Sequence, residues 1–279
     1  MATPQHEQGL HLAQFNLAVL RHPLEHPASK GFVNLIDDTN RHAEASPGFV
    51  WRHGIDTRED DLPYGDPLIT VNASVWETAQ QLRDFAYRGF HRDVYRQRAD
   101  WFVDSAAVMW WVPAGDIPSM DECLARMDFF GRFGSTPYAF TTGERTPVLV
   151  LHTTADDGAT TCTATLDGET AGRIHADPVA GEPTSWEVSE LILEPALHGN
   201  HIAAAVVSSL FVAARESGVS NVRAACPADA DDAVAQLVQM DFSTIDPWPG
   251  APAGHRCLAH HVEPIRTWRR PPGAKPPRP

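Results

Sequence analysis

Apolar residues recur at two periods along this chain, and the order in which the periods alternate restricts the fold more than any single motif does. A strand with one buried side repeats every second residue and a surface helix every three to four, so spacing separates them. HLAQFNLAVL from His11 alternates as a strand. Ala28 to Ala45 carries Phe32, Leu35 and Ile36 at helical spacing, and SPG at Ser46 to Gly48 stops that helix. FVWRHG and the β-branched PLITVNASVW are strands. A helix from Glu77 to about Phe90 turns Leu82, Phe85 and Ala86 inward, AAVMWWVP at Ala106 to Pro113 is a strand, and a helix from Ser119 to Phe133 opens with the capping residues Ser119 and Glu122. The order β, α, β, β, α, β is a split βαβ arrangement, one antiparallel sheet with helices on one face.

After TTGERTP, a turn-like linker, the texture changes. Strands VLVLHTT, TCTATLDGETAGRI with a hairpin turn at Asp167 and Gly168, and SWEVSELILEP lead into a helix from His201 to Ser217, stopped by Gly218. NVRAAC, a helix from Ala228 to Met240 and HRCLAHHV complete the pattern. With 279 residues the chain has room for two domains, each with a core of its own. The expected class is α+β, divided into an unstructured 1–10, a first domain over 11–142, a linker at 143–147, a second domain over 148–264 and a tail over 265–279. That end, RTWRRPPGAKPPRP, is basic and too rich in proline to pack.

The formal charge of -14 speaks against nucleic acid, which needs a concentrated Lys/Arg surface. No stretch approaches the roughly 18 apolar residues that cross a bilayer, so no membrane partner is expected. The opening MATPQHEQGL lacks the basic start and apolar core of a secretory signal, which makes the cytoplasm the expected location. Cys123, Cys162, Cys226 and Cys257 are scattered without a CxxC pair and are expected to be buried free thiols. No metal site is expected: prolines in HPLEHP forbid the helix that would align His22 with His26, and His260 and His261 would point opposite ways on a strand.

LAQFN at Leu12 to Asn16, YRQRADWF at Tyr95 to Phe102 and MWWVPAGDIPSMDECLARMDFFGRFGSTPYAF at Met109 to Phe140 carry a resemblance that covers nearly all of the first domain. It resembles a dimeric α/β-barrel family related to the antibiotic-biosynthesis monooxygenases and, more distantly, to spheroidene monooxygenase. The resemblance implies a ferredoxin-like domain, a homodimer formed by sheet-to-sheet pairing, and relatives that include oxygenases and haem proteins. Haem ligation by His91 has no local support such as CxxCH and is not expected. A bare sheet face carrying large aromatics suits a flat apolar molecule, held by Trp51, Trp76, Trp101 and Trp111 and oriented by Asn16 and His53. His91, Tyr95 and Arg98 are the catalytic candidates, His91 as acid and base and Arg98 as a clamp on a carboxylate or enolate. The ordinary alternatives are a capping histidine, arginines paired with Asp93 and Asp100, and tryptophans in the core. The expected function is that of a tailoring enzyme in natural-product metabolism, acting on a small aromatic or polyketide-like substrate by oxygenation or by acid-base rearrangement or cyclisation. The bare face needs cover from a second copy or from the second domain.

SWEVSELILEPALHGNHIAAAVVSSLFVAARESGV carries a second resemblance, to the GNAT acetyltransferase fold. The resemblance implies acetyl-CoA or another acyl-CoA held by the loop His198, Gly199, Asn200, His201, Ile202 and Ala203, because helix N-terminal amides attract pyrophosphate. His198 stands where the family has Gln or Arg, His201 where it has glycine, and Leu237 where its tyrosine protonates the departing thiolate. The two helices that wall the family's acceptor site find no room before VLVLHTT. The alternatives are therefore an acyl-CoA-dependent N-acyltransferase, with Glu187 or Glu190 as base, and a non-catalytic binding or assembly module.

Overall fold

The computed structural model describes residues 9–53, 63–141, 147–194 and 201–272. The first half runs β1 (Leu10–Leu20), α1 (Lys30–Glu44), β2 (Phe49–His53), β3 (Ile69–Trp76), α2 (Ala79–Tyr87), α3 (Gly89–Arg96), α4 (Arg98–Trp101), β4 (Phe102–Pro113) and α5 (Met120–Phe133). Its four strands form one antiparallel sheet in the order β2-β3-β1-β4. The second half runs β5 (Leu149–Asp156), β6 (Ala159–Leu166), β7 (Glu169–Val179), β8 (Glu182–Leu193), α6 (Ile202–Glu216), β9 (Asn221–Pro227), α7 (Asp231–Gln239), β10 (Ser243–Ile245) and β11 (His255–His261). These strands make a seven-stranded sheet, β10-β11-β9-β8-β7-β6-β5, antiparallel except for the parallel pair β8 and β9. The chain is thus mixed α+β.

Alternation along β1 sends Ala13, Phe15 and Leu17 to one side of the first sheet and Leu12, Gln14 and Asn16 to the other. Register carries the division across: Trp110 lies opposite Ala13, while Trp111 and Trp76 lie opposite Leu12. On the second side, Leu12, Trp76, Met109 and Trp111 pack with Ala43 of α1 and Leu82 of α2. On the first side sits α5, whose Arg126 guanidinium lies 5.3 Å from the Trp110 ring centre. The side expected to be bare is therefore filled, and it is filled from within the chain.

That filling makes the cores expected of the two halves continuous. Phe15, Trp110 and Met127 of the first half belong to the same buried cluster as Ala164, Ile174, Leu210 and Val222 of the second. The physical cause is α6, apolar all round and buried from Ile202 to Ala214, which needs neighbours on every side. The second sheet covers one flank, while α5 meets it on another through Asp121, paired with Arg215 at 3.0 Å, and the segment after α5 through Tyr138 Oη, which donates to Ser208 Oγ at 3.1 Å.

Residues from 265 to 272, expected to be part of an unstructured tail, cross α5 as a strap. Ile265 and Trp268 pack against the large core, and Arg270 Nε donates to Asp104 at 2.9 Å. The two apolar side chains outweigh the prolines around them. Gly131 permits the crossing, since a Cβ there would lie 2.5 Å from the Arg269 carbonyl oxygen. Residues 273–279 and 1–8 lie outside the described residues, as does 142–146, where most of the expected linker falls.

Candidate functional site

The residues expected to form one pocket in the first half divide between three places. Trp51 and His53, opposite Val75 and Ala73, lie on the α5 side, with Trp51 against the large core. Asn16, Trp76 and Trp111 lie on the α1 side. Tyr95 and Arg98 face solvent, the guanidinium stacked 4.1 Å from the Tyr95 ring centre and donating to the Tyr95 carbonyl. Trp101 packs beside Phe32 of α1 with ring centres 5.7 Å apart. Among the described residues the α5 side, where a cavity was expected, is packed: Phe15, Ala73, Val75, Val108 and Trp110 are fully buried there.

The α1 side is less closely covered. Gln14 and Asn16 on the central strand β1 and Asn72 on β3 remain half-buried, and a polar row runs across the strands. Trp76 Nε1 donates to Ser74 Oγ at 3.0 Å, Ser74 Oγ to Gln14 Oε1 at 3.5 Å, and Gln14 Nε2 to Asn16 Oδ1 at 3.1 Å. The apolar end of this side carries an aromatic stack, with Phe85 5.1 Å from Trp76 and 4.6 Å from His91. His91 Nδ1 lies 3.0 Å from the Ala86 carbonyl, which only accepts, so Nδ1 carries the proton and Nε2 is the free acceptor of the neutral ring. Burial pushes the His91 imidazole below its ordinary pKa, against the opposing pull of that carbonyl. Of the expected set, this side of the sheet gathers Asn16, Trp76, Trp111 and His91. Gln14 and Ser74 were missed, though polar residues at period two on a central strand are the signal that points to them.

In the second half, the parallel register between β8 and β9 runs only from Ser185 opposite Asn221 to Val188 opposite Ala224. Beyond it β8 continues to Leu193 and β9 to Pro227 without pairing to each other. Half-buried Val188, Leu191, Leu193 and Val234 line the apolar core at this end. The bulge in β8 between Val188 and Glu190 marks where that pairing stops. His198, Gly199 and Asn200 lie outside the described residues. His201 precedes α6 with a left-handed φ of 55°, its ring 4.9 Å from Phe133 of α5, and Ile202 and Ala203 are buried. Glu187 is hydrogen-bonded to Arg223, with the guanidinium 2.9 Å away, whereas Glu190 Oε2 lies 3.0 Å from Arg173 in an ion pair without a hydrogen bond. Leu237 is fully buried and has no proton to give.

The four cysteines are buried and unpaired, and burial pushes the Cys162 thiol up to about 11. Among the described residues no three His, Cys, Asp or Glu side chains are placed to hold a metal ion, and no helix is long and apolar enough to cross a membrane.

No curated protein matches this chain. Solved structures similar to part of it are acetyltransferases. The PaiA N-acetyltransferase of Thermoplasma acidophilum, in complex with coenzyme A, is 14% identical over 37% of this chain and 60% of that one, with a TM-score of 0.33. Ard1 of Thermoplasma volcanium is 15% identical over 37% of this chain and 70% of that one, at 0.33. An acetyltransferase of the GNAT family from Staphylococcus aureus Mu50 is 10% identical over 38% and 69%, at 0.35. The chain spans 60% of the length of the first of these, and likeness at such scores says nothing about activity. The family described as Domain of unknown function (DUF3291) matches residues 11–154, just over half of the chain, and the chain belongs to that family.

Proposed function

We propose that the second half binds an acyl-CoA between the unpaired ends of β8 and β9, and that the chain is an acyl-CoA-binding module of GNAT-like architecture. The observation that carries this reading is the end of pairing between two parallel strands before the helix α6. From Ser189 onward the edge of β8 that faces β9 has no ladder partner among the described residues, and such an edge pairs with the amides of an extended arm as it would with another strand. Val188, Leu191 and Val234 give that arm apolar walls. When bound, the thioester supplies an activated acyl carbon. The chain's own residues favour holding over transfer, because Leu237 cannot protonate a thiolate and Glu187 and Glu190 are tied to arginines. Calorimetry with acetyl-CoA and octanoyl-CoA tests the reading. Micromolar binding of either is the expected result, and no heat with both rejects it.

A second reading concerns the first half, for which we infer the ferredoxin-like arrangement. Its support is the order β2-β3-β1-β4 with α1 between β1 and β2 and with α2 to α4 between β3 and β4. The half-buried polar row and the free Nε2 of His91 favour a small aromatic ligand bound beneath α1, with His91 as base. Arg98, stacked on Tyr95 in solvent, has no part in it. Replacing Asn16 with Leu and His91 with Phe should abolish binding of such a ligand. Unchanged binding in both variants rejects this site.

A further inference from the structure

A cavity of about 610 Å³ lies where the two halves meet, walled by α5, by the C-terminal half of α6, by the end of β11 and by the strap. It is separate from the unpaired ends of β8 and β9, since α6 contributes Ser208, Phe211 and Arg215 from its far half. In a chain of net charge -14, the four arginines Arg132, Arg215, Arg266 and Arg269 converge here against Asp128, Asp241 and Glu263. Three of the four have a carboxylate partner: Arg132 pairs with Asp241 at 2.8 Å, Arg269 with Asp128 at 3.4 Å and Arg215 with Asp121 at 3.0 Å.

Of the three paired arginines, Arg215 is the buried one left incomplete. Its side chain is nine-tenths buried and its Nε is spent on Asp121, yet Nη2 is buried without any hydrogen-bond partner. A guanidinium fork has donors only, and the acceptor that suits its second prong is an oxygen of a carboxylate or phosphate. Beside it the cavity presents a flat apolar surface: Phe211 stacks on His260 with ring centres 4.2 Å apart, and Met240 and Ile265 flank them. The volume falls in the range that takes an organic molecule of ordinary size.

We propose that this cavity binds a small organic anion, a carboxylate or phosphate ester on a ring-sized apolar body, with Arg215 as the anion contact and the Phe211–His260 pair as the platform. The strap makes one wall through Ile265 and Arg269, so the site exists only when both halves and the strap are assembled.

Calorimetry on the full chain with benzoate, phenyl phosphate and the neutral isostere benzamide is the test. One of the two anions binds and benzamide does not, and the stronger anion tells carboxylate from phosphate. Arg215→Gln weakens that binding at least tenfold. Because Arg215 also ties α6 to α5, a second variant, Ile265→Trp, fills the cavity from the strap and abolishes binding while the fold is checked by circular dichroism. Neither variant touches β8 or β9, so acyl-CoA binding is unchanged in both. Binding of neither anion, equal binding of benzamide, or full-strength binding in folded Ile265→Trp overturns the proposal.

Discussion

Arg126 shows how far a single residue can serve two environments. It sits in the core with 3% of its side chain exposed, donates to the Tyr138 carbonyl at 2.7 Å, pairs with Glu122 at 2.8 Å and lies 3.8 Å from the Tyr138 ring centre. Replacing it with Leu strands the carbonyl and the carboxylate together. The expected cost is about 3 kcal/mol, read as a lower urea midpoint at unchanged slope. His91 and His260 make a prediction of another kind. Burial holds both imidazoles below their ordinary value of 6.5, so the unfolded chain takes up their protons more readily than the folded one. The stability they protect is complete above pH 6.5 and is lost as the pH falls through the lower, folded values. The melting temperature should therefore drop between pH 7 and pH 5, and His91→Phe, which keeps the contact with Phe85, should flatten part of that drop. An equal slope in the variant would show that His91 does not contribute.

Among the elements, α5 and the strap depend on one another. Ser119 caps α5 by accepting the Glu122 amide at 3.1 Å, as its sequence signature promises, and Arg132 near the far end donates to the Gln239 carbonyl. Between them Gly131 leaves room for the Arg269 backbone. Alanine would suit the helix better by about 1 kcal/mol, yet its methyl would occupy the path of the strap. Gly131→Ala should therefore leave α5 intact and release the strap, and trypsin should cut after Arg266 and Arg269 several-fold faster. Unchanged cleavage would mean that the strap passes at a greater distance. The segment between α2 and β4 shows the limit of pattern reading at this scale. Spacing announces a helix ending near Phe90, whereas the chain bends at Gly89, with φ at 60°, and continues as α3 and the short α4. Their residues are mostly exposed, so no buried stripe marks them in the sequence.

For the molecule as a whole, one core spans both halves, and unfolding should be a single transition. Calorimetry and tryptophan fluorescence should report the same midpoint, and two resolved melts would contradict the shared core. The first half expressed alone, ending at Pro147, would bare Phe15, Val108 and Trp110 to water and should aggregate or associate. Periodicity alone determined most of the elements, from the alternation that makes β1 to the Asp167–Gly168 turn that joins β6 to β7, because those are local preferences of backbone and side chain. It also determined that Trp110 and Trp111 part to opposite faces. Which face would be filled, and by what, was decided only when α6 found itself apolar on every side and drew α5 and the first sheet against it. For the same reason Trp51 and His53 parted from Asn16 and His91, and Arg215 came to line a cavity with residues from the far end of the chain: proximity across a core depends on the packing of distant segments, which no local spacing encodes.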